Sequence, residues 1–505
     1  MNLSHLLQPV PAHDWITIAI LFVGIALLIA LSEWVRHKLN WSEEFSRKLV
    51  HILVGVLMFF SPVLLVSSLP LVLIATFFTV LNLVATKKGW LKGMHGERKT
   101  YGTVYYPLSF LILVVLCWEN YKIILIASLM ILAIADALAA IVGESIKNPR
   151  KYVLISEQKS FEGSVTMFFV STLMTMLALT YYPFNSVPAI DSAITVLWIS
   201  VITGVIATAA EALSSKGSDN LTVPIFVAIF LYFMLGHSIQ GNIQLTMGII
   251  FGAIFAYFSL KAQFLNNSGA VATFLLAAVI FGFGGWKWTL PILLFFILSS
   301  LLSKLGREEK VSYDTMFEKG SKRDYAQVIA NGGVAGILVI CYLFYQSSLI
   351  YIFYLAAVAA AMADTWATEI GTLSKQQPRL FSTFKKVAPG TSGGITFAGL
   401  VGATLGAFLI ALCGWQFLDN FTSYDIPFTL VGITLSGFFA SLFDSLVGAT
   451  VQAQYRCPTC HKMTEKRHHC DGIVTRLEKG FKWMNNDMVN LLNTVSALSF
   501  MYIFL

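Results

Sequence analysis

The chain has 505 residues, 56% of them hydrophobic and 12% charged, with a mean hydropathy of +0.73. That balance excludes a soluble globular enzyme and predicts a polytopic membrane protein. The net charge of +7 does not point to nucleic acid, because the basic residues are parcelled among short loops rather than gathered on one face.

Sixteen apolar stretches follow in order, near 15–35, 48–64, 66–86, 104–119, 121–146, 162–182, 189–210, 222–237, 244–260, 268–284, 288–303, 325–346, 349–372, 393–414, 427–452 and 486–504. Each is near the length that a helix needs to cross a bilayer. Of the 34 Lys and Arg residues, 32 fall in or at the edge of every second gap, and only Lys122 and Lys287 lie elsewhere. Basic loops stay cytoplasmic, so both termini are expected outside and each odd-to-even loop inside. Residues 1–14 hold no Lys or Arg, so the first span reads as a permanent helix rather than a cleaved leader. The expected fold is all-α, with about sixteen transmembrane helices.

The spans divide into two tandem halves of eight, expected as domains 1–240 and 245–505. Asp136 is followed by Ala139 and Gly143, and Asp364 by Ala367 and Gly371 at the same offsets. Gly163 is then read as the counterpart of Gly394, Glu211 of Asp444, Asp219-Asn220 of Asn486-Asp487, and Arg98 of Arg323. An even number of spans per half keeps both copies in one orientation, a parallel repeat.

A charge inside an apolar span costs at least ~2.5–3.5 kcal/mol, so Asp136 and Asp364 are functional candidates. A buried acid either ties helices together by hydrogen bonds or grips Mg²⁺, which takes one or two protein carboxylates plus phosphate oxygens. Glu211, Asp219 and Asn220 complete the metal candidates of the first half; Glu369, Asp444, Asn486, Asp487 and Asn490 complete those of the second. Two loops suit phosphate: Lys159-Ser160-Phe161-Glu162-Gly163 and Thr391-Ser392-Gly393-Gly394. Both are expected at helix N-termini, where free N–H groups favour anions, although Ser and Thr there also serve as ordinary caps. Neither ends in the Gly-Lys-Ser/Thr of a Walker loop. Arg47, Lys48 and His51 open span two, Arg98 and Lys99 precede span four, and Lys322 and Arg323 precede Gln327 and Asn331 in span twelve. Arg and Lys in such places suit a transferring phosphoryl group. In the last long loop, Cys457, Cys460, His469 and Cys470 have the residue types and rough spacing of a tetrahedral Zn²⁺ site; incidental reduced thiols are the alternative.

These residues carry two resemblances. Arg47-Lys48 with His51, Arg98-Lys99-Thr100-Tyr101-Gly102-Thr103, Asp136 through Gly143, Lys159 through Gly163, Glu211 and Asp219-Asn220 make roughly 45–235 resemble the CTP-dependent lipid kinases that include dolichol kinase, phytol kinase and yeast-type diacylglycerol kinase. Gly320 through Gly333, Ala363-Asp364 with Glu369, Pro389 through Gly394 and Asn486-Asp487 with Asn490 make about 245–505 similar to the family of transmembrane protein 19 and plant phytyl-phosphate kinase. The resemblances imply an isoprenoid-alcohol kinase followed by an isoprenyl-phosphate kinase, with Mg²⁺ and CTP or ATP as cofactors and the bilayer supplying the lipid. They imply catalytic roles for Asp136, Lys159, Arg98, Lys99, Asp364, Arg323 and Lys322. Nucleotide or its phosphates are then expected at Arg47, Lys48, His51, Ser160, Glu162, Gly163, Gln327, Asn331 and Thr391 through Gly394. A membrane cytidylyltransferase, a diacylglycerol-type kinase and a secondary transporter are the rival readings.

Overall fold

A computed structural model describes residues 6, 8–41, 43–88, 100–181, 192–305, 322–374, 376–418, 425–470 and 472–505, with the backbone alone at 43–45 and 47. It divides into two compact units, Met1–Asn242 and Ile243–Leu505. In the first, the helices are α1 (Ala12–Leu39), α2 (Glu43–Phe59), α3 (Leu69–Lys88), α4 (Gly102–Cys117), α5 (Lys122–Ser145), α6 (Phe161–Tyr181), α7 (Ala193–Ala212) and α8 (Asp219–Gly236). The others are α9 (Ile239–Lys261), α10 (Asn267–Gly284), α11 (Trp286–Leu305), α12 (Tyr325–Tyr345), α13 (Ser348–Leu373), α14 (Phe397–Leu418), α15 (Ile426–Thr450) and α16 (Asn486–Ile503). All sixteen expected spans are therefore helices, and the chain is an all-α multi-pass membrane protein.

Thirteen described helices have the length and apolarity to cross a membrane, and α2 and α4 are apolar but shorter. Helix α16 is the polar one, and its polar face has internal partners. Asn493 Nδ2 donates to Ala360 O at 3.2 Å, and Thr494 Oγ1 donates to Ala330 O at 3.2 Å. Those bonds hold α16 against α12 and α13, which explains how so polar a segment sits inside a bundle.

Within each unit one helix pair makes the same contact. A Cβ on Gly163 of α6 would lie 2.9 Å from Ala139 O and 3.0 Å from Ser160 Oγ, and one on Gly143 would lie 2.5 Å from Ser160 Oγ. In the second unit, a Cβ on Gly399 of α14 would lie 2.8 Å from Ala367 O and 3.0 Å from Thr396 Oγ1, and one on Gly371 would lie 2.9 Å from Thr396 Oγ1. Small residues let the backbones approach this closely, as is usual for helix pairs in membranes. The two helices of each pair are joined by an antiparallel hairpin: β1 (Lys151–Val153) with β2 (Gln158–Ser160), and β3 (Arg379–Leu380) with β4 (Gly394–Ile395).

This geometry corrects the register of the repeat. The counterpart of Gly163 is Gly399, not Gly394, because both glycine N–H groups are capped from three residues upstream, by Ser160 Oγ at 3.1 Å and Thr396 Oγ1 at 3.0 Å. Residues 381–393 form the turn of the second hairpin, where the first has only 154–157. The loop containing Thr391 through Gly393 is thus an addition to the second unit. We predict that Gly399→Ile lowers thermal stability in detergent by about 1–3 kcal/mol through overpacking. Gly236→Ala, with nothing within 4 Å of its added Cβ, should leave the melting curve unchanged or raise it slightly.

Candidate functional site

In the first unit the connections before α4, α6 and α8 meet at one end. Tyr101 N donates to Lys216 O at 3.1 Å, and Lys216 N donates to Glu157 Oε1 at 3.0 Å. Lys159, at the end of the hairpin, reaches α7: its Nζ donates to Glu211 Oε1 at 2.6 Å and also to Glu211 O. Both side chains are only 14% exposed, a burial at which an unpaired charge is costly. Burial opposes the charge on Lys159, but the carboxylates of Glu211, Asp219 and Asp136 together outweigh it and raise its pKa. Three of the expected metal candidates thus surround one lysine. Asn220 Oδ1 is buried with no hydrogen-bond partner among the described residues.

Helix α5 widens into a π turn over Ile131–Ala135, directly before Asp136. Such turns displace main-chain carbonyls from the regular ladder and gather at functional sites. His51 Nε2 donates to Leu132 O at 3.1 Å, and its ring stands edge-on to Tyr106, 4.5 Å between centroids. His51 is thus tied both to the turn that precedes Asp136 and to Tyr106 of α4. Lys48 pairs with Glu144 at 2.6 Å, and Glu162 accepts from Arg150 N at 3.0 Å, closing the base of the hairpin. Arg98, Lys99 and the side chain of Arg47 lie outside the described residues.

In the second unit the carboxyl groups of Asp364 on α13 and Asp444 on α15 lie against each other, and the Glu465 carboxylate acts on Asp444. Asp444 Oδ2 is buried without a partner among the described residues. The glycine loop seats beside this pair. Gly393 has φ +76°, and an added Cβ would fall 2.4 Å from both Ser445 O and Ala449 N. Only glycine fits there. The loop does not stand at a helix N-terminus as expected, since α14 begins at Phe397 behind its own Thr396 cap. Ser392 Oγ instead donates to Glu465 Oε1 at 2.7 Å, and Gln452 Nε2 donates to the same oxygen at 2.8 Å. Glu465 escaped the sequence reading because it lies 73 residues from Ser392 in a segment singled out only for cysteines.

Glu369 turns to other partners than the Asp364 pair. Ser303 Oγ donates to it at 2.6 Å, and its charge acts on Arg323. Arg323 lies against the rings of Phe295 and Phe296, at 5.3 and 5.4 Å. Burial brings its pKa down to about 10, with Glu369 opposing, so it stays cationic at neutral pH. Arg323, Gln327 and Asn331, with Thr273 and Thr289, are the polar residues lining a cavity whose other side chains, from α9 through α12, are apolar, among them Phe251, Phe255, Leu276 and Ile292. Gln327 also closes a capping box with Asp324, so α12 starts rigidly at the cavity. Lys322 is exposed. Asp487 and Asn490 are partly exposed near the start of α16 behind its Asn485 cap, with Asn486 its first residue.

Fold and site define a multi-pass helical membrane protein with a carboxylate-bearing polar site in each of two units. Residues 250–498 match the family described as integral membrane protein DUF92, and the chain belongs to it. It is 30% identical over 287 residues to protein PGR of Arabidopsis thaliana, covering 52% of this chain and 98% of the relative. An uncharacterized membrane protein of Methanocaldococcus jannaschii is 36% identical over 208 residues, 41% of this chain and 83% of its own length. A phytol kinase of Synechocystis is 26% identical over 230 residues, 45% of this chain and 94% of the relative. No solved structure matches.

Lys159→Met should destabilise the first unit by about 3–5 kcal/mol, because three acids would lose their shared cation. Thermal unfolding in detergent checks this, and millimolar Mg²⁺ should restore part of the loss if those oxygens accept a divalent ion.

Proposed function

We propose that the chain is a bifunctional membrane lipid kinase. Its first unit phosphorylates an isoprenoid alcohol, and its second phosphorylates the resulting monophosphate to the diphosphate, with CTP or ATP as donor. The observation that carries this reading is the second-unit cavity, almost wholly apolar, with the buried Arg323 and with Gln327 and Asn331 among the residues that line it. Such a lining suits a hydrocarbon tail ending in one anionic group. The similarity to a phytol kinase supports an isoprenoid alcohol as the first acceptor.

Phosphoryl transfer asks for positioning and charge neutralisation more than for covalent chemistry. The donor set fits Mg²⁺, since Asp444 Oδ2 and Asn220 Oδ1 are buried oxygens without a partner among the described residues and carboxylates dominate both sites. Asp136, Glu211 and Asp219 would hold the ion in the first unit, and Asp364, Asp444 and Asp487 in the second. Bound there, it would neutralise charge on the nucleotide phosphates. Lys159 would supply a fixed positive charge to the first site. In the second the Thr391 and Ser392 hydroxyls are already donated, to Ala388 O and Glu465 Oε1, so the loop from Thr391 through Gly394 would act by shaping the backbone beside the acid pair. An alcohol must lose its proton to a carboxylate such as Asp136 as the new P–O bond forms, whereas a monophosphate is already a competent nucleophile at neutral pH. A prenyl monophosphate leaving the first unit stays in the membrane, so its effective concentration at the second is high. With the basic loops cytoplasmic, both sites would draw nucleotide from that compartment.

The test assays purified protein with Mg²⁺, labelled CTP or ATP, and geranylgeraniol or its monophosphate. Asp136→Asn should depress the alcohol step by at least about 10²-fold and spare the monophosphate step, with Asp364→Asn doing the reverse. Wild-type protein that phosphorylates neither acceptor with either nucleotide would sink the reading.

A further inference from the structure

The link between α7 and α8 spans only residues 213–218, whereas that between α15 and α16 spans 451–485. The longer link folds into β5 (Gln454–Arg456), β6 (Met463–Thr464) and β9 (Arg476–Lys479), joined in the order β6-β5-β9, and a hairpin of β7 (His468–His469) with β8 (Ile473–Val474). Among its described residues only Ala453, Tyr455, Cys457 and Met484 are buried apolar side chains, and so small a structure commonly relies on a metal staple.

We propose that Cys457, Cys460, His469 and Cys470 form a structural zinc site that clamps this segment over the second unit's acid pair. Their ligand atoms all lie within 4.8 Å of one another. His469 Nδ1 is 3.5 Å from Cys460 Sγ and 3.1 Å from Cys470 Sγ, near the ~3.6 Å between S and N ligands around tetrahedral zinc. The backbone is shaped for this. After Cys457, His461 N donates to Cys457 O at 3.0 Å, and Cys457 N donates to Lys462 O at 3.1 Å, so the β5–β6 turn delivers Cys457 and Cys460 from one knuckle. The second arm has adjacent ligands, which a regular strand would point to opposite faces. Cys470 solves that with φ 41°, a left-handed residue that brings its sulfur to the side of His469.

The clamp has a definite cargo. Glu465 follows β6 directly and is the acceptor shared by Ser392 and Gln452, while Lys479 Nζ from β9 donates to Ala449 O at the end of α15. The glycine loop and this segment are both absent from the first unit, and they bond to each other. Zinc therefore orders Glu465, Glu465 orders Ser392, and the loop stays beside Asp444. This assignment rests on the ligand geometry and stands whatever reaction the acids perform.

The experiment begins with full-length wild-type protein purified without a polyhistidine tag or chelator. Elemental analysis should find about one zinc per chain, and exchange into Co²⁺ should give the intense visible bands of a tetrahedral thiolate site. Cys457→Ser and Cys470→Ser should lose the metal, while Cys117→Ser retains it. Chelation of the wild type should speed hydrogen exchange at 389–394 as well as at 452–484, and zinc should restore it. Wild type that lacks zinc and whose thiols are alkylated equally fast with and without added zinc overturns the site. Chelation that frees 452–484 but leaves 389–394 unchanged overturns the clamp.

Discussion

A carboxylate inside a membrane-spanning bundle must be compensated, because hydrocarbon offers it no water. This chain carries several, and the surrounding structure is arranged around that constraint. In the first unit a lysine from the hairpin turns inward, and Glu211, Asp219 and Asp136 act on it together. In the second unit Asp364 and Asp444 are set against each other, with Glu465 acting on Asp444. The two solutions place different demands on a ligand. The first site holds its own cation, while the second gathers the carboxyl groups of Asp364, Asp444 and Glu465, a set that suits the proposed divalent ion.

Close helix packing makes both arrangements possible. Gly163 and Gly399 bring the following helix onto the one that carries the acid, and the hairpin ahead of each fixes where the cap residue stands. The second unit is longer than the first at two places, the turn of its hairpin and the link before α16, and these longer segments meet at Glu465. Two units that share a helix contact and differ in those segments suit the two proposed reactions, whose acceptors differ by a phosphate.

Much of this was legible in the chain. The helices were, because every span is a long apolar run and even the polar α16 keeps enough Leu, Val and Met between its asparagines. Asp136 and Asp364 stood out for the same reason inverted, as charges within such runs. The four residues of the proposed zinc site stood out by residue type and rough spacing. The repeat register was not: Gly394 drew attention because it ends a glycine-rich string, whereas the shared geometry rests on Ser160 and Thr396, and Ser or Thr caps are too common in sequence to set a register. Glu465, the Leu132 carbonyl taken by His51, and the pairing of Glu369 with Ser303 all depend on chain-distant contacts that periodicity and spacing do not encode.

The central claim is that one chain performs two successive phosphoryl transfers. The most direct measurement supplies wild-type protein with geranylgeraniol and donor nucleotide labelled either at the γ or at the β phosphorus, and follows the lipid products in time. The account predicts that labelled monophosphate rises first and then falls as diphosphate accumulates, with both of its phosphorus atoms drawn from γ positions. A diphosphate that carries the β label, or appears without a preceding monophosphate, would contradict it.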